Sequence, residues 1–526
     1  MKLSRRHFFY GSLLAGAIPA TGFGSRPSLK TLGYKSPNEK LNFAAIGSGG
    51  QGAANIRAAA PTENIVALCD VDDRRAAATF KNFPNAPKFR DFRQMLDKEG
   101  KNIDAIIVAT PDHMHATAAI WCMERGKNVY VQKPLVRTVW EARQLRDAAG
   151  KYQVATQMGN QGYSNEGTRQ CAEIIWNGEI GNVTEVHAWT DRPMWPQGLT
   201  VIPREDPVPA TLDWDLWLGA AEKRPFTADG KIEPDRNGAF FYQPFNWRGF
   251  YDFGCGALGD MACHILGAPN MALHLSQRKL VSVECVKKEG VSPFMFPKAS
   301  VIRFDFAPYG NMPALKVFWY DGLKEAPKIL GVPEGEWIGD PPTAQRPAGG
   351  GGGGQVAPGG PGGVRPMGMA MSRPGVTEFR SPGRVFNWDD FQALKESKTP
   401  LRFPQPDGSL FVGDKGMLTT GTYGDMTRLI PVQKMKEYVM PPPLLTRSPG
   451  HMRDFIRACK GGDPACSNFD VAAPFVEWML LGVIALRFEG KLEYDPEKMR
   501  IINNAEATGL LKPVFRKGWE FHTIKA

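Results

Sequence analysis

Short apolar runs alternate with amphipathic stretches through residues 38–157. The apolar runs predict strands at Leu41–Ile46, Asn64–Asp70, Ile103–Thr110, Asn128–Gln132 and Gln153–Met158. Helical patterns separate these runs at Gln51–Ala60, Asp91–Asp97 and His115–Arg125. Strands that are apolar throughout and are separated by helices indicate a parallel sheet with helices on both faces. We therefore predict a doubly wound α/β domain over residues 38–157.

The pattern changes from residue 158 onward, where apolar and polar positions alternate within longer runs. These runs predict strands at Val183–Asp191, Lys279–Lys287, Ser300–Phe306, Ala314–Tyr320 and Leu410–Thr419. Alternation of this kind is typical of an antiparallel sheet that packs one face on helices. Helical patterns follow at Pro449–Cys459 and Ala472–Phe488. We predict a C-terminal α+β domain over residues 158–526 with a largely antiparallel open sheet.

A glycine- and proline-rich insert interrupts the C-terminal domain at about residues 342–376. It contains the unbroken run Gly349–Gly354, followed by Pro-Gly-Gly repeats. Such a composition buries too little apolar surface to form a core. We therefore predict a disordered surface loop there.

The first 37 residues have the layout of an export signal. Ser4-Arg5-Arg6-His7-Phe8-Phe9 contains a twin-arginine pair, and the apolar run Phe8–Ile18 follows. That run is shorter than the roughly 20 residues that a membrane-spanning helix needs. We expect the twin-arginine export machinery to carry the protein to the periplasm, without a stable membrane anchor.

Composition narrows the class of protein. The 526 residues are 42% hydrophobic and 22% charged, which is typical of soluble globular domains. Six of the Lys and Arg residues that produce the net charge of +10 lie in residues 1–37. No run of Lys or Arg follows, so we do not expect nucleic-acid binding.

The eight cysteines form no C-x-x-C pair, so no metal site is predicted. Cys459 and Cys466 flank a turn, and either a disulfide or two free thiols is compatible with this spacing.

A glycine-rich loop follows the first predicted strand. Gly47-x-Gly49-x-x-Gly52, with Gly50 inside it, lies between that strand and a helix, and Asp70 ends the second strand. This context is typical of a dinucleotide site, in which the loop approaches the pyrophosphate and the carboxylate accepts hydrogen bonds from ribose hydroxyls. Because a carboxylate at this position repels a 2′-phosphate, NAD is favoured over NADP.

Further polar residues follow the next strands of the same sheet, where ligands bind in such folds. The candidates for lining the cofactor site are Thr110, Pro111, His113, His115, Gln132, Lys133 and Asn160. His113 and His115 alone do not make a metal site, because their spacing brings no third ligand. We expect them to cap a helix and to line the cofactor site. Lys133 can stabilise negative charge on a substrate oxygen.

A second candidate constellation lies in the C-terminal domain. On a helix, Asp260 and His264 share one face at spacing i, i+4. A histidine can accept a proton from an alcohol while a carboxylate orients it. Gly254, Gly256 and Gly259 precede the pair and would let the backbone approach a ligand.

These motifs, in this order, resemble those of the Gfo/Idh/MocA oxidoreductases, most closely the exported twin-arginine branch of that family. The resemblance implies an N-terminal Rossmann domain and a C-terminal domain whose open sheet covers the active site and forms contacts in a homo-oligomer. It also implies NAD(P)-dependent chemistry on sugars and cyclic polyols, with Lys133, Asp260 and His264 as catalytic residues. Two departures stand out: Gln132 replaces a glutamate before Lys-Pro, and Ile265-Leu266-Gly267 replaces a polar segment after the histidine.

Three functions are compatible with these residues. The first is an oxidoreductase acting on a sugar, glycoside or polyol hydroxyl with tightly bound cofactor, in which His264 takes the proton, Asp260 orients His264 and Lys133 stabilises the oxygen. The second is a redox-neutral lyase, epimerase or glycosidase that uses NAD. The third is a non-enzymatic carbohydrate-binding protein. The aromatic residues Trp189, Trp195, Trp247, Phe250 and Tyr251 either contact sugar rings or belong to the core.

Overall fold

The computed structural model describes residues 39–201, 205–228, 242–344, 383–398, 401–402 and 406–524. The predicted export signal and residues 345–382 lie outside these ranges, so the predictions made for the first 37 residues and for most of the insert remain predictions. No helix in the described ranges has both the length and the apolar character needed to cross a membrane.

The N-terminal part is a six-stranded parallel sheet with the order β3-β2-β1-β4-β5-β6. Its strands are β1 Asn42–Ile46, β2 Asn64–Cys69, β3 Lys88–Phe89, β4 Ala105–Val108, β5 Asn128–Val131 and β6 Thr156–Met158. Its helices are α1 Gly50–Ala59, α2 Asp73–Asn82, α3 Phe92–Glu99, α4 His115–Met123 and α5 Val139–Tyr152. The predicted doubly wound sheet is therefore confirmed, with β3 as an added edge strand of two residues.

The register of this sheet brings several strand ends to one edge. Ile46 lies opposite both Cys69 and Val108, and Val108 lies opposite Val131. The residues that follow these strands, including Asp70 and Gln132, therefore lie along the same carboxyl edge. This is the edge at which open parallel sheets bind ligands.

The C-terminal part is built on a nine-stranded sheet with the order β15-β14-β13-β7-β10-β9-β8-β16-β17. Its strands are β7 Val183–Trp189, β8 Leu280–Glu289, β9 Ala299–Phe306, β10 Leu315–Asp321, β13 Gly408–Gly413, β14 Met417–Thr420, β15 Arg428–Ile430, β16 Lys491–Asp495 and β17 Arg500–Ile501, while β11 Thr343–Ala344 and β12 Leu401–Arg402 form a separate pair. Pairing is antiparallel throughout except between β7 and β10. The predicted, largely antiparallel open sheet is confirmed.

The described ranges of the C-terminal part also contain eight α-helices. They are α6 Glu166–Trp176, α7 Trp214–Leu218, α8 Gly256–Ile265, α9 Gly267–Leu273, α10 Trp388–Lys395, α11 His451–Cys459, α12 Phe469–Ala485 and α13 Ala505–Gly509. The central helix α12 is apolar on nearly all sides because it is enclosed, and the ring of Trp478 packs edge-on against Phe304 and Phe306 of β9.

The two sheets are joined by later segments of the chain. Helix α11 returns to the first sheet, where Phe455 packs edge-on against Phe43 of β1 and Tyr130 of β5. Near the C-terminus, Phe521 stacks on Trp140 of α5. Residues more than 300 positions away in the sequence thus pack against the N-terminal domain. All eight cysteines lie within the described ranges and carry free thiols.

Candidate active site

A cavity of about 510 Å³ lies at the carboxyl edge of the parallel sheet, where the C-terminal domain covers it. One end, which we call the cofactor end, is lined by Gly47, Gly49, Gly50, Asp70 and Thr110. The other, which we call the reaction end, is lined by Lys133, Arg248, Asp260, His264 and Tyr423. One cavity thus contains residues from both predicted constellations.

The glycine loop has a shape that side chains would destroy. Gly47 has a φ of +85°, and a Cβ there would lie 2.5 Å from the carbonyl oxygen of Ala109. A Cβ on Gly52 would lie 1.8 Å from the carbonyl oxygen of Gly47. Gly52 therefore lets α1 pack closely on the loop instead of lining the cavity itself. The loop leaves an open cradle at the start of α1, which suits a pyrophosphate.

Asp70 supports this loop directly. Its Oδ2 accepts hydrogen bonds from the amides of Ser48 at 2.8 Å and Gly49 at 3.0 Å, and its Oδ1 accepts one from the amide of Asp72. Burial raises the pKa of the Asp70 carboxyl, while these amide donors oppose the rise. The carboxylate therefore holds the shape of the loop, a role that spacing alone did not indicate.

Polar atoms without described partners point to a ligand at this end. The Oγ1 of Thr110 and the Nε2 of Gln132 are buried and have no hydrogen-bond partner among the described residues, although both residues line the cavity. Buried polar groups are rarely left unpaired, so such atoms suit contacts with a bound molecule. Pro111 lines the same wall.

Three residues that were predicted to line the cofactor site lie behind the residues that form the cavity wall. The Nε2–H of His113 donates to the carbonyl of Trp217 at 3.1 Å, and the Nε2–H of His115 donates to that of Thr110 at 2.9 Å. Burial lowers the pKa of His113 to about 3 and that of His115 to about 4, so both rings are neutral. Asn160 is buried and accepts a hydrogen bond from the hydroxyl of Ser467. None of the three is among the residues that line the described cavity, so the lining prediction is corrected for these side chains, although Nδ2 of Asn160 and Nδ1 of both histidines are also buried without a described partner.

An ion-pair cluster organises the reaction end. The ammonium of Lys133 donates to Oδ1 and to the backbone carbonyl of Asp260, both at 2.8 Å, and Nε of Arg248 donates to the same Oδ1 at 2.8 Å. Burial would raise the pKa of Asp260, but the two cations outweigh it and hold this pKa well below its usual range. The carboxylate therefore stays ionised and fixes the Lys133 ammonium in the cavity.

This geometry corrects the role predicted for Asp260. The residue does share a face of α8 with His264, but its described hydrogen bonds go to Lys133 and Arg248. Spacing along a helix identified His264 as a neighbour of Asp260, whereas the charged partners of Asp260 come from the segment after β5 and from the turn Asn246–Gly249. Asp260 thus positions the lysine instead of the histidine.

His264 is buried beside a residue that sequence reasoning missed. The ring of Tyr423, on the turn between β14 and β15, packs edge-on against it at a centroid distance of 4.8 Å. Burial, with a contribution from Lys133, lowers the pKa of His264 to about 3, so the imidazole is neutral. No local sequence signal marks Tyr423, because 159 positions separate it from His264.

Asp112 is a second residue that the sequence did not single out. It lines the cavity on the turn after β4, and its side chain is buried. Burial raises the pKa of its carboxyl to about 7, although Arg248 opposes the rise. This carboxyl therefore titrates near neutral pH.

The predicted glycines and aromatic residues have mainly structural roles. A Cβ on Gly254 would lie 2.6 Å from Cα of Arg248, so this glycine lets the Asn246–Gly249 turn pack on the start of α8. Trp189 and Phe250 are buried in apolar clusters, whereas Trp247 lines the cavity together with Phe245. Of the five predicted aromatic residues, Trp247 is the one that lines this described cavity.

Comparison with known protein families agrees with this architecture. Residues 41–160 match the model described as an oxidoreductase family with an NAD-binding Rossmann fold, and residues 178–290 match that family's C-terminal α/β domain. These two segments are similar to the Gfo/Idh/MocA oxidoreductase family. The two matches confirm the predicted fold class and the predicted NAD-binding Rossmann fold at the start of the chain.

Individual relatives match over shorter stretches. An inositol 2-dehydrogenase of Rubrobacter xylanophilus is 28% identical over 117 residues, which are 22% of this chain and 33% of that protein. A glycosyl hydrolase family 109 protein of Shewanella pealeana is 27% identical over 176 residues, which are 29% of this chain and 38% of that protein. The chain therefore spans well under half the length of these curated relatives.

A solved structure shares the fold over most of the chain. The WlbA dehydrogenase of Bordetella pertussis, in complex with NADH and UDP-GlcNAcA, has a TM-score of 0.51 and 14% identity. The match covers 87% of this chain and 99% of that one. At this identity the likeness extends to the fold alone. In the described ranges, no three His, Cys, Asp or Glu side chains cluster as a metal site.

Proposed function

We propose that the protein is an NAD-dependent oxidoreductase that acts on a hydroxyl of a sugar, glycoside or polyol. The observation that carries this proposal is the Lys133–Asp260 ion pair, which lies in the same cavity as the glycine loop. Binding both reactants in one cavity supplies the proximity that the reaction needs. The similarity to a relative named inositol 2-dehydrogenase supports a polyol or sugar as the substrate.

The loop Gly47–Gly52 would hold the pyrophosphate, and Thr110 and Gln132 offer polar atoms to the rest of the cofactor. When bound, NAD supplies a hydride acceptor. NAD is favoured over NADP, because the Asp70 carboxylate at the cavity wall repels a 2′-phosphate.

Lys133 donates a hydrogen bond to the substrate oxygen and stabilises the negative charge that develops there. Asp260 holds the ammonium in place through the ion pair at 2.8 Å. His264 accepts the hydroxyl proton at Nε2, which requires the tautomer with a proton on Nδ1. Its lowered pKa keeps the ring neutral at neutral pH, so Nε2 is free to accept the hydroxyl hydrogen, while the same shift makes the imidazole a weaker base than a free histidine.

The test is reduction of added NAD by the full chain, followed at the absorbance band of reduced nicotinamide with a panel of sugars and polyols. Lys133→Met is expected to lower kcat about 10²- to 10³-fold, since it removes the donor to the developing oxyanion. Lys101→Met, at an exposed position of the same domain, serves as the matched control. A Lys133→Met variant with the turnover of the control would contradict the assignment.

A redox-neutral reaction is the second candidate, because one matched relative is named a glycosyl hydrolase family 109 protein. In that case NAD would be bound tightly and its oxidation level would not change over a full cycle. Product mass after incubation without added NAD distinguishes the two. An altered linkage at unchanged oxidation level favours the redox-neutral reaction, and a product two hydrogens lighter favours the dehydrogenase.

A carbohydrate-binding protein without catalysis is the third candidate. Mass spectrometry of nucleotide released from denatured protein, together with calorimetry with NAD, tests it. Released or bound NAD would exclude a cofactor-free binding protein, while absence of both would favour it.

Export and assembly complete the proposal. We propose that the twin-arginine machinery carries the protein to the periplasm and that it works there as a homo-oligomer. Cell fractionation of wild type and an Arg5→Lys, Arg6→Lys variant tests export, since the variant is expected to stay in the cytoplasm. Light scattering of the exported protein measures the oligomeric state.

A further inference from the structure

Cations outnumber ionised carboxylates at the reaction end. Lys133 and Arg248 share a single oxygen of Asp260. A further carboxyl that lines the cavity and interacts with both cations is that of Asp112, whose pKa burial raises to about 7, so it is partly protonated at neutral pH. An unbalanced positive charge in a partly buried cavity is costly, and a bound anion would offset that cost.

Arg248 is held in one orientation. Its guanidinium lies 4.0 Å from the ring centroid of Phe245 and 4.2 Å from that of Trp247. Its Nε donates to Asp260, and its Nη1 donates to the carbonyl of Phe245 at 3.3 Å. Among the described residues, none accepts a hydrogen bond from Nη2. A guanidinium fixed in this way is preorganised to bind an oxyanion through its remaining amino group.

We propose that the substrate is a sugar acid and that Arg248 binds its carboxylate at the reaction end. This inference rests on the proposed function, because it takes a carbohydrate to occupy the cavity. The rings of Phe245 and Trp247 line the same wall and offer apolar faces to the sugar ring. A singly charged carboxylate suits the site better than a phosphate, because the net positive charge of the site is small. Arg248 also has a single amino group, Nη2, that remains available to donate hydrogen bonds.

The experiment compares matched ligands that differ at one carbon. Binding of methyl glucuronoside and methyl glucoside to NAD-saturated full chain is measured by calorimetry, and the corresponding galacto and manno pairs are measured in the same way. Charge-assisted hydrogen bonds predict that at least one uronoside binds roughly 10- to 100-fold more tightly than its neutral partner. Equal or weaker binding of every uronoside would overturn the proposal.

Variants test the assignment to Arg248. Arg248→Met keeps an unbranched side chain between the two rings and is expected to abolish the preference for the uronoside. Arg224→Met removes an arginine that pairs with Asp252 outside the described cavity lining, so it is expected to leave the preference intact. Circular dichroism melting checks that both variants fold. A folded Arg248→Met variant that keeps the preference would overturn the proposal.

Two further comparisons separate this proposal from its alternatives. Tighter binding of methyl glucoside 6-phosphate than of any uronoside would show that the site takes phosphate, and would overturn the carboxylate assignment. Turnover of neutral sugars without any preference for uronosides would contradict this inference and leave the proposed function standing. An Arg248-dependent preference for uronosides without turnover would support this inference and contradict the proposed function.

Discussion

The two ends of the cavity are assembled in different ways. The cofactor end comes from neighbouring strands of one sheet, and its main contacts join Asp70 to the amides of a loop about 20 positions earlier. The reaction end brings Lys133 of the first sheet together with Arg248 and Asp260 of the second domain. A local motif thus encodes the shape of the cofactor end, whereas tertiary packing determines the charges of the reaction end.

The largest effect is expected from a side chain in the glycine loop. Gly47→Ala places a Cβ 2.5 Å from the carbonyl of Ala109 at a φ of +85°, so we expect a loss of about 2–4 kcal/mol in stability and much weaker NAD binding. Gly178→Ala is the matched control, because its φ is +80° but its Cβ would meet no atom within 4 Å. The control is expected to cost about 1 kcal/mol and to leave NAD affinity unchanged.

Chemical unfolding and NAD calorimetry on both variants check this prediction. Equal losses in the two variants would mean that backbone strain alone matters at Gly47. The close approach of the loop to β4 would then have no special part in cofactor binding.

A pH-dependent effect is expected from Asp112, which lies on the turn after β4 and lines the cavity near Arg248. Its pKa is raised from 3.8 to about 7 in the folded protein, so its contribution to stability is present at low pH and is lost as the pH rises through 7. Between pH 3.8 and about pH 7, stability falls by about 1.4 kcal/mol per pH unit. Asp112→Asn does not titrate and therefore lacks this loss.

Between pH 5 and pH 8 we therefore expect the wild type to lose roughly 2–3 kcal/mol of stability relative to Asp112→Asn. Urea unfolding of both proteins at the two pH values measures the difference. A constant difference would contradict a protonated, buried Asp112.

The smallest effect is expected from His113. His113→Gln removes the ring between Trp217 and Phe253 and is expected to cost about 1–2 kcal/mol in stability. NAD affinity should change less than about twofold, because the side chain lies behind the wall. Large weakening of NAD binding with unchanged stability would restore the original prediction that His113 contacts the cofactor.

Sequence patterns predicted most of the fold and located residues at both ends of the cavity. Strand and helix periodicity located both sheets, because burial on one or two faces leaves a regular trace in the chain. The two-residue strand β3 was missed, because it is too short to show a period. The glycine loop and Asp70 were found because their contacts span few positions.

The reaction end was harder to predict. Helical spacing paired Asp260 with His264, yet a carboxylate within reach of two cations binds those cations more strongly than a neutral imidazole. Tyr423 reaches His264 through the C-terminal sheet, and no property of its own segment indicates that contact. His113 and His115 were assigned to the cavity because they follow a strand end, whereas their rings turn toward backbone carbonyls.

The central claim is that Asp260 acts through Lys133, and a double-mutant cycle on kcat/KM tests it most directly. If the claim holds, Lys133→Met with Asp260→Asn will be about as impaired as Lys133→Met alone, because the carboxylate has lost the group it positions. Asp260→Asn combined with His264→Ala should instead show losses that add. Additive losses for the lysine pair, together with strong coupling between Asp260 and His264, would contradict the account.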